Sequence, residues 1–242
     1  MRMRWLARRL ARFRSPRHRS AATRAPYDPV RDSRPVLLVV EGQNDIEFLR
    51  RISRILQCDD ARLPNVSDLE RRSELVLIPS GGGDPRGWAG RLAPLGCPEL
   101  HLFDRETGHE TAIRQEAVAM ANLRPECVAR LTLKRNLENY LHPQAIAAVS
   151  DIQIEIDDDC HVADRVAQAV HERSCCSLLW HELPHRRQKR YRERAKRWLN
   201  TRAVERMTPQ LLSERDPQGE VRSWLWAIRE LHGRGVAWSR HT

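Results

Sequence analysis

Acidic residues recur at one kind of place in this sequence, directly after short apolar runs. Glu41 follows Val36-Leu37-Leu38-Val39-Val40, with Gly42 behind it and Asp45 one helical turn further on. Asp104 closes the run Glu99-Leu100-His101-Leu102-Phe103, and Glu106 stands two residues later. Two bare carboxylates about 4 Å apart repel by about 4 kcal/mol at an effective dielectric of about 20. A site that gathers three or four of them therefore holds protons, basic side chains or a metal. Because the set offers only oxygen, without His or Cys, it suits Mg²⁺ or Mn²⁺ rather than zinc. Such ions serve phosphate chemistry, neutralising charge on the phosphate and activating water. The plainer alternative is that each acid caps a helix or lies in a solvated turn, a description that Asp45 and Asp84 both fit.

The bases are as uneven as the acids. The chain has 39 arginines and three lysines, Lys134, Lys189 and Lys196. Lysine offers a compact point charge and a tunable pKa that a guanidinium does not, so each retained lysine is a candidate for work at a phosphate. Lys189 sits in the run His185–Arg197, which carries eight Lys/Arg together with Tyr191 and is followed by Trp198. Basic residues interleaved with an aromatic suit a phosphate track with one stacking surface, and Arg187, Lys189, Arg190 and Arg192 are its expected contacts. A charged helix face balanced by Glu193 is the alternative.

These residues need a scaffold, and the apolar pattern supplies one. The runs at 36–40, 75–78, 99–103 and 129–133 are short and largely apolar, as strands buried in a parallel sheet are. Between them lie helical patterns, with Ile46, Leu49, Ile52, Ile55 and Leu56 on one face and a further helix ending about residue 122. Strands alternating with amphipathic helices predict an α/β fold with a parallel sheet. In such sheets chemistry gathers at the carboxyl ends of the strands, so neighbouring first and third strands bring Glu41 and Asp104 to one edge. From about residue 144 the strands give out, and 161–180, 185–200, 203–213 and 219–232 read as helices. Trp224, Leu225, Trp226 and Ile228 read as packing. Ser80-Gly81-Gly82-Gly83-Asp84 lacks the G-K-[ST] ending of an ATP-binding loop, and Asp157-Asp158-Asp159-Cys160-His161 matches no zinc spacing.

The net charge of +10 over 242 residues divides unequally. Residues 1–35 hold eleven arginines against Asp28 and Asp32, leaving 31 basic and 30 acidic groups for the remainder. The basicity belongs to this arm, and a phosphate-binding tail, a membrane-surface segment, a targeting peptide and a disordered leader are all open for it. The six cysteines form no C-x-x-C pair, so reduced thiols and a cytoplasmic location are expected. No stretch approaches the ~20 apolar residues of a spanning helix.

Taken together, three segments resemble a known family. Val40-Glu41-Gly42-Gln43-Asn44-Asp45 looks like the first motif of Toprim domains, the fold shared by topoisomerases, primases and overcoming-lysogenisation-defect (OLD) nucleases. Phe103-Asp104-Arg105-Glu106 resembles the second motif, normally D-x-D, and Leu137-Glu138-Asn139-Tyr140-Leu141 resembles the I-E-N-Y-L segment of OLD-like nucleases. The resemblance implies a Toprim (Rossmann-like) domain over 36–143, after the arm 1–35 and before a helical extension 144–242 completing the same unit. It implies Mg²⁺- or Mn²⁺-dependent phosphodiester hydrolysis, of DNA rather than RNA. Glu41 would be metal ligand and general acid/base, with Asp45, Asp104 and Glu106 as further ligands. Glu106 keeps the charge of D-x-D but changes the reach. Lys196 resembles the C-terminal lysine that these nucleases bring to the phosphate, Lys134 is its rival, and both Glu138 and Lys134 would support the site from behind. OLD enzymes carry an ATPase domain absent from this sequence, so a partner ATPase is one expectation. A non-catalytic nucleic-acid-binding module and an RNA-processing or nucleotidyl-transfer enzyme of the same fold are the alternatives.

Overall fold

β1 (Val36–Val40) consists of five apolar residues, every one of them buried, as a strand covered on both faces requires. The structure, a computed structural model, describes residues 34–174 and 178–238, with side chains through residue 233. The basic arm up to residue 33, Cys175 and Cys176 lie outside the described residues. β2 (Leu75–Pro79), β3 (Glu99–Phe103) and β4 (Cys127–Leu131) join β1 in a fully parallel sheet of order β2-β1-β3-β4. Leu38 is opposite Leu77 on one side and Leu100 on the other. The expected α/β architecture is therefore present, and the first and third strands are neighbours.

Strand alternation divides the side chains between two faces. Val36, Leu38, Val40, Leu100 and Leu102 join the larger core, while Phe103 packs with Ala117, Ala121 and Ala129 under α3 (His109–Asn122). The larger core is closed by α1 (Gln43–Asp59), whose Ile46, Leu49, Ile52 and Leu56 fall at helical spacing and are fully buried. α2 (Val66–Arg71) is a short brace beside α1. α8 (Glu220–Trp238) lies against β1 and β3 and buries Trp224, Leu225 and Ile228. Each such side chain contributes about 1.5–3 kcal/mol by leaving water. Trp226 is partly buried, and the guanidinium groups of Arg62 and Arg229 each lie over its ring.

The helices after residue 143 share this core, since Leu141, Ile146, Val166, Leu199, Val204 and Leu212 belong to the same cluster as β1. They are α4 (Pro143–Ser150), α5 (Val162–Glu172), α6 (His185–Trp198) and α7 (Pro209–Arg215). Several boundaries differ from the sequence expectation, and β4 covers Cys127–Leu131 rather than 129–133. α5 stops at Glu172 rather than continuing to residue 180. α6 runs into a π-helical turn, Leu199–Ala203, and a 3-10 turn, Val204–Arg206. The expected helix 203–213 is interrupted, because Thr208 caps α7 by accepting the Leu211 N–H at 3.2 Å and Pro209 occupies its first turn. None of the described helices is long and apolar enough to cross a membrane.

Candidate metal centre

Glu41 follows β1 and Asp104 follows β3, and the pairing of these strands, Leu37 with Glu99 through Val39 with His101, brings both residues to the carboxyl edge of the sheet, one residue out of step. Glu41, Asp104 and Glu106 each present a carboxylate oxygen within 4.8 Å of the others. Asp104 is the centre of the group. It is 2% exposed, and neither of its oxygens has a hydrogen-bond partner among the protein atoms. Burial pushes its carboxyl well above the usual range, and the neighbouring Asp45 and Glu41 push it further, while Lys196 opposes them. A buried acceptor without a partner costs about 1–3 kcal/mol, more when charged, which a bound cation would relieve.

Asp45 begins α1 and does two things at once. Its Oδ2 accepts the Gly42 N–H at 2.7 Å, a helix-capping contact, while Oδ1 is buried without a partner. Burial raises its pKa to about 7 against the field of Lys196, with Glu138 adding to the rise. One oxygen of this carboxylate thus caps the helix and the other is unpartnered, but Asp45 is not one of the three acids whose oxygens lie within 4.8 Å of one another.

The two outer acids carry arginines. Arg114, on α3, donates to Glu41 Oε1 from Nε at 3.0 Å and Nη2 at 2.8 Å. Arg135 Nε donates to Glu106 Oε2 at 3.2 Å. Glu106 has φ +53°, a left-handed conformation unusual for a residue with a side chain, and its N–H donates to the Arg135 carbonyl at 2.9 Å. That conformation costs about 1–2 kcal/mol.

Lys196 comes from the last turn of α6. Its Nζ lies 3.8 Å from Glu138 Oε1, and Glu138 is 1% exposed. The same oxygen accepts Asn200 Nδ2 at 2.6 Å, and Asn200 also donates to the Lys196 carbonyl at 2.9 Å. Glu138 first, then Asp45, Asp104 and Glu41, hold the Lys196 ammonium well above its usual pKa. Lys196 is thus a charged group facing the acids.

Other expected residues go elsewhere. Lys134 pairs with Asp158 at 2.5 Å and lies over the Tyr140 ring, so it is not brought to the acids. Asp158 also takes Arg215, at 3.2 Å, and draws Lys134 away from the strand edge. Arg192 is paired with Asp164 rather than left free for a phosphate. Arg187, Lys189 and Arg190 are exposed on α6. In the Leu137–Tyr140 turn, Asn139 Nδ2 ties down the carbonyls of Asp157 and Cys160 at 2.8 and 3.0 Å, and Tyr140 bonds the Glu220 carboxylate. The Asp157–His161 stretch is a turn into α5, with Asp157 Oδ1 accepting the Asp159 and Cys160 N–H groups.

After β2 the chain continues the ladder, with Ser80 N–H on the Val40 carbonyl and Gly81 N–H on that of Glu41. Gly81, Gly82 and Gly83 all have positive φ, +77° to +87°, and an added Cβ on any of them would meet open space. The turn needs glycine for its conformation rather than for close approach. It walls a cleft of about 420 Å³ bordered by Glu41, Gly82, Gly83, Arg86, Phe103 and Arg114.

Sequence reasoning missed Arg114, Arg135 and Asn200. Their partners are distant in the chain or set by local turns, and in so arginine-rich a sequence no pattern singles out two of them. It also missed Glu99, His101 and Cys127, which bring ligand atoms within 4.8 Å of one another. That group is at the amino end of the sheet, and Arg124 already serves as its cation, with Nη1 2.9 Å from Glu99 Oε2. Burial pushes the Cys127 thiol up to about 11, unlike a metal-binding thiolate.

No protein-family model matches the sequence, and no curated protein matches it. Among solved structures, the chain is similar to the C-terminal region of the OLD protein of Xanthomonas campestris pv. campestris. In the mercury-phased structure the likeness is 14% identity over 85% of this chain and 98% of that one, with a TM-score of 0.47. In the platinum-phased structure it is 15% over 88% and 99%, with a TM-score of 0.46. The C-terminal region of the Burkholderia pseudomallei OLD protein is similar at 12% identity over 86% and 97%, with a TM-score of 0.34.

Proposed function

We propose that this chain is a Toprim-like, divalent-metal-dependent nuclease that hydrolyses phosphodiesters in nucleic acid, with DNA as the favoured substrate. The observation that carries the reading is the trio Glu41, Asp104 and Glu106 within 4.8 Å at the ends of adjacent parallel strands, centred on a buried aspartate with both oxygens unpartnered. An all-oxygen set of this kind fits Mg²⁺ or Mn²⁺. Those three acids would hold the ion, with Asp45 adding its free Oδ1. Bound there, the ion would neutralise phosphate charge and favour ionisation of water.

The protein's own groups have distinct tasks. Glu41 would accept and return a proton, with its Oε1 held by Arg114. Lys196, kept charged and anchored by Glu138, would stabilise negative charge developing on the phosphate. Water is the nucleophile. The cleft beside the glycine turn gives the strand a way in. A partner ATPase and a cytoplasmic location go with this reading, and the free, unbridged thiols of Cys58, Cys97, Cys127 and Cys160 suit the latter.

One observation favours the non-catalytic alternative. Arg114 and Arg135 already neutralise two of the three acids, which a pure binding module could use in place of a metal. Calorimetry with Mn²⁺ and Mg²⁺ on the wild type and on an Asp104→Asn, Glu106→Gln double variant tests the reading. Binding should vanish in the variant, and cleavage of duplex DNA, single strands or structured RNA should then depend on metal and on Glu41. A wild type that binds no metal, or a variant that binds equally well, removes the catalytic reading.

A further inference from the structure

α6 has a second face that the acidic centre does not use. Arg187, Arg190, Tyr191, Arg194 and Trp198 fall at i, i+3, i+4, i+7 and i+11, one stripe of the helix. Lys196 projects from the opposite side toward Glu138. Among the described residues no carboxylate pairs with Arg187, Arg190 or Arg194, whereas Arg192 beside them is taken by Asp164.

The stripe borders two adjoining hollows that share Tyr191 and Arg194. One, of about 400 Å³, is lined mainly by apolar groups, including Val166 and Val170 of α5 and Trp198 of α6. The other, of about 150 Å³, is formed by Arg187, Arg190, Tyr191 and Arg194 alone. Tyr191 stands between them, and His171 and Trp180 meet its ring at steep angles, with centroids 5.7 and 5.9 Å away. Those contacts hold the tyrosine in place before anything binds.

We infer that the double hollow takes an unpaired nucleotide, with the base in the apolar hollow against Tyr191 and Trp198 and the backbone phosphates along the arginine row. The inference rests on the nucleic-acid reading above and narrows it, because the substrate must then carry a single-stranded segment. An apolar hollow of this size accommodates one small planar group, and base–aromatic stacking combined with guanidinium contacts is how single strands are held. A base inside a duplex reaches such a hollow only after being unstacked at a cost. An acidic peptide would satisfy the arginines and leave the apolar hollow unfilled.

The test is fluorescence anisotropy of the full chain with a labelled oligothymidylate, its blunt duplex and an oligoglutamate, all in EDTA so that no metal contributes. The single strand should bind more tightly than either competitor. Tyr191→Ala should weaken it about tenfold or more. Val170→Glu, at a position 42% exposed and so harmless to folding, should weaken it similarly by placing a negative charge at the mouth. Replacing Arg187, Arg190 and Arg194 by Gln should lower the slope of log affinity against log salt by about 2. Equal affinity for duplex and single strand, an unchanged salt slope, unaltered binding by Val170→Glu, or equally tight binding of oligoglutamate would overturn the inference. Metal calorimetry is read separately. Loss of the metal site with strand binding intact removes the catalytic reading alone, and the converse removes only this one.

Discussion

Glu138 holds Lys196 from behind, with Oε1 3.8 Å from Nζ, and so ties the turn that follows the sheet to the last turn of α6. Glu138 is almost fully buried, while the lysine side chain retains about a third of its exposure, so in the proposed reaction the carboxylate would be the anchor and the ammonium the working group. Lys196→Met separates these roles. Removing the ammonium takes away a charge that repels the incoming cation, so Mn²⁺ should bind at least as tightly by calorimetry. Cleavage should fall about 100-fold or more, the usual cost of losing one group that stabilises transition-state charge. Weakened metal binding in step with activity would show instead that the lysine is merely structural.

The raised pKa of Asp45 gives a signed pH dependence. Its carboxyl titrates near 3.8 when unfolded and at about 7 when folded, so between those values the folded chain carries the extra proton. Metal-free stability should therefore decline as pH rises through that interval and level off above it, by up to about 4 kcal/mol. Urea denaturation in EDTA at several pH values reads the slope, to which Asp104 contributes with the same sign, so Asp45→Asn should make it shallower without abolishing it. Over the same interval Mn²⁺ affinity should climb, since the ion displaces that proton.

Glu106 occupies its left-handed conformation at a cost, and it adds a charge to an already acidic place. Glu106→Gly should raise Tm in EDTA by about 2–4 °C, from relief of about 1 kcal/mol in a chain of this size, while Mn²⁺ binding weakens. Scanning calorimetry checks both halves. A fall in Tm would mean that the Arg135 contact outweighs the backbone.

At the far end of the sheet the expectation is purely structural. Although burial works to raise it, Arg124 and His101 hold the Glu99 carboxyl below its usual pKa. Arg124→Met leaves a fully buried charge without its main partner and should cost about 3–5 kcal/mol in urea denaturation. Metal binding at 25 °C in the still-folded fraction should not change.

Much of the scaffold is legible in the sequence because β-branched apolar runs admit few alternatives. Val36–Val40 reads as a buried strand by itself, and an acid directly after it is placed by the chain. That Glu41 and Asp104 meet is not legible, since it depends on β3 joining β1 on the side away from β2. Lys196 is visible through the scarcity of lysine and through its resemblance to the C-terminal lysine of OLD-type nucleases. Lys134 looks equally good in the sequence, yet the loop before α5 claims it through Asp158, and no local pattern announces which loop will fold back. The break at Met207–Thr208 does have a sequence signal, Thr208 before Pro209 as the cap and first turn of a new helix, which a single helix over 203–213 passes over.

The adjacency of β1 and β3 has a consequence for how this centre can vary. Neighbouring strands keep a separation of about 4.8 Å, so the pairing that reaches Val39 and His101 fixes the points from which the Glu41 and Asp104 backbones leave the sheet, and helix repacking cannot stretch it. Adjustment is left to side-chain length and to the turn carrying Glu106, so a one-carbon exchange at these positions regauges the gap while the sheet beneath stays as it is.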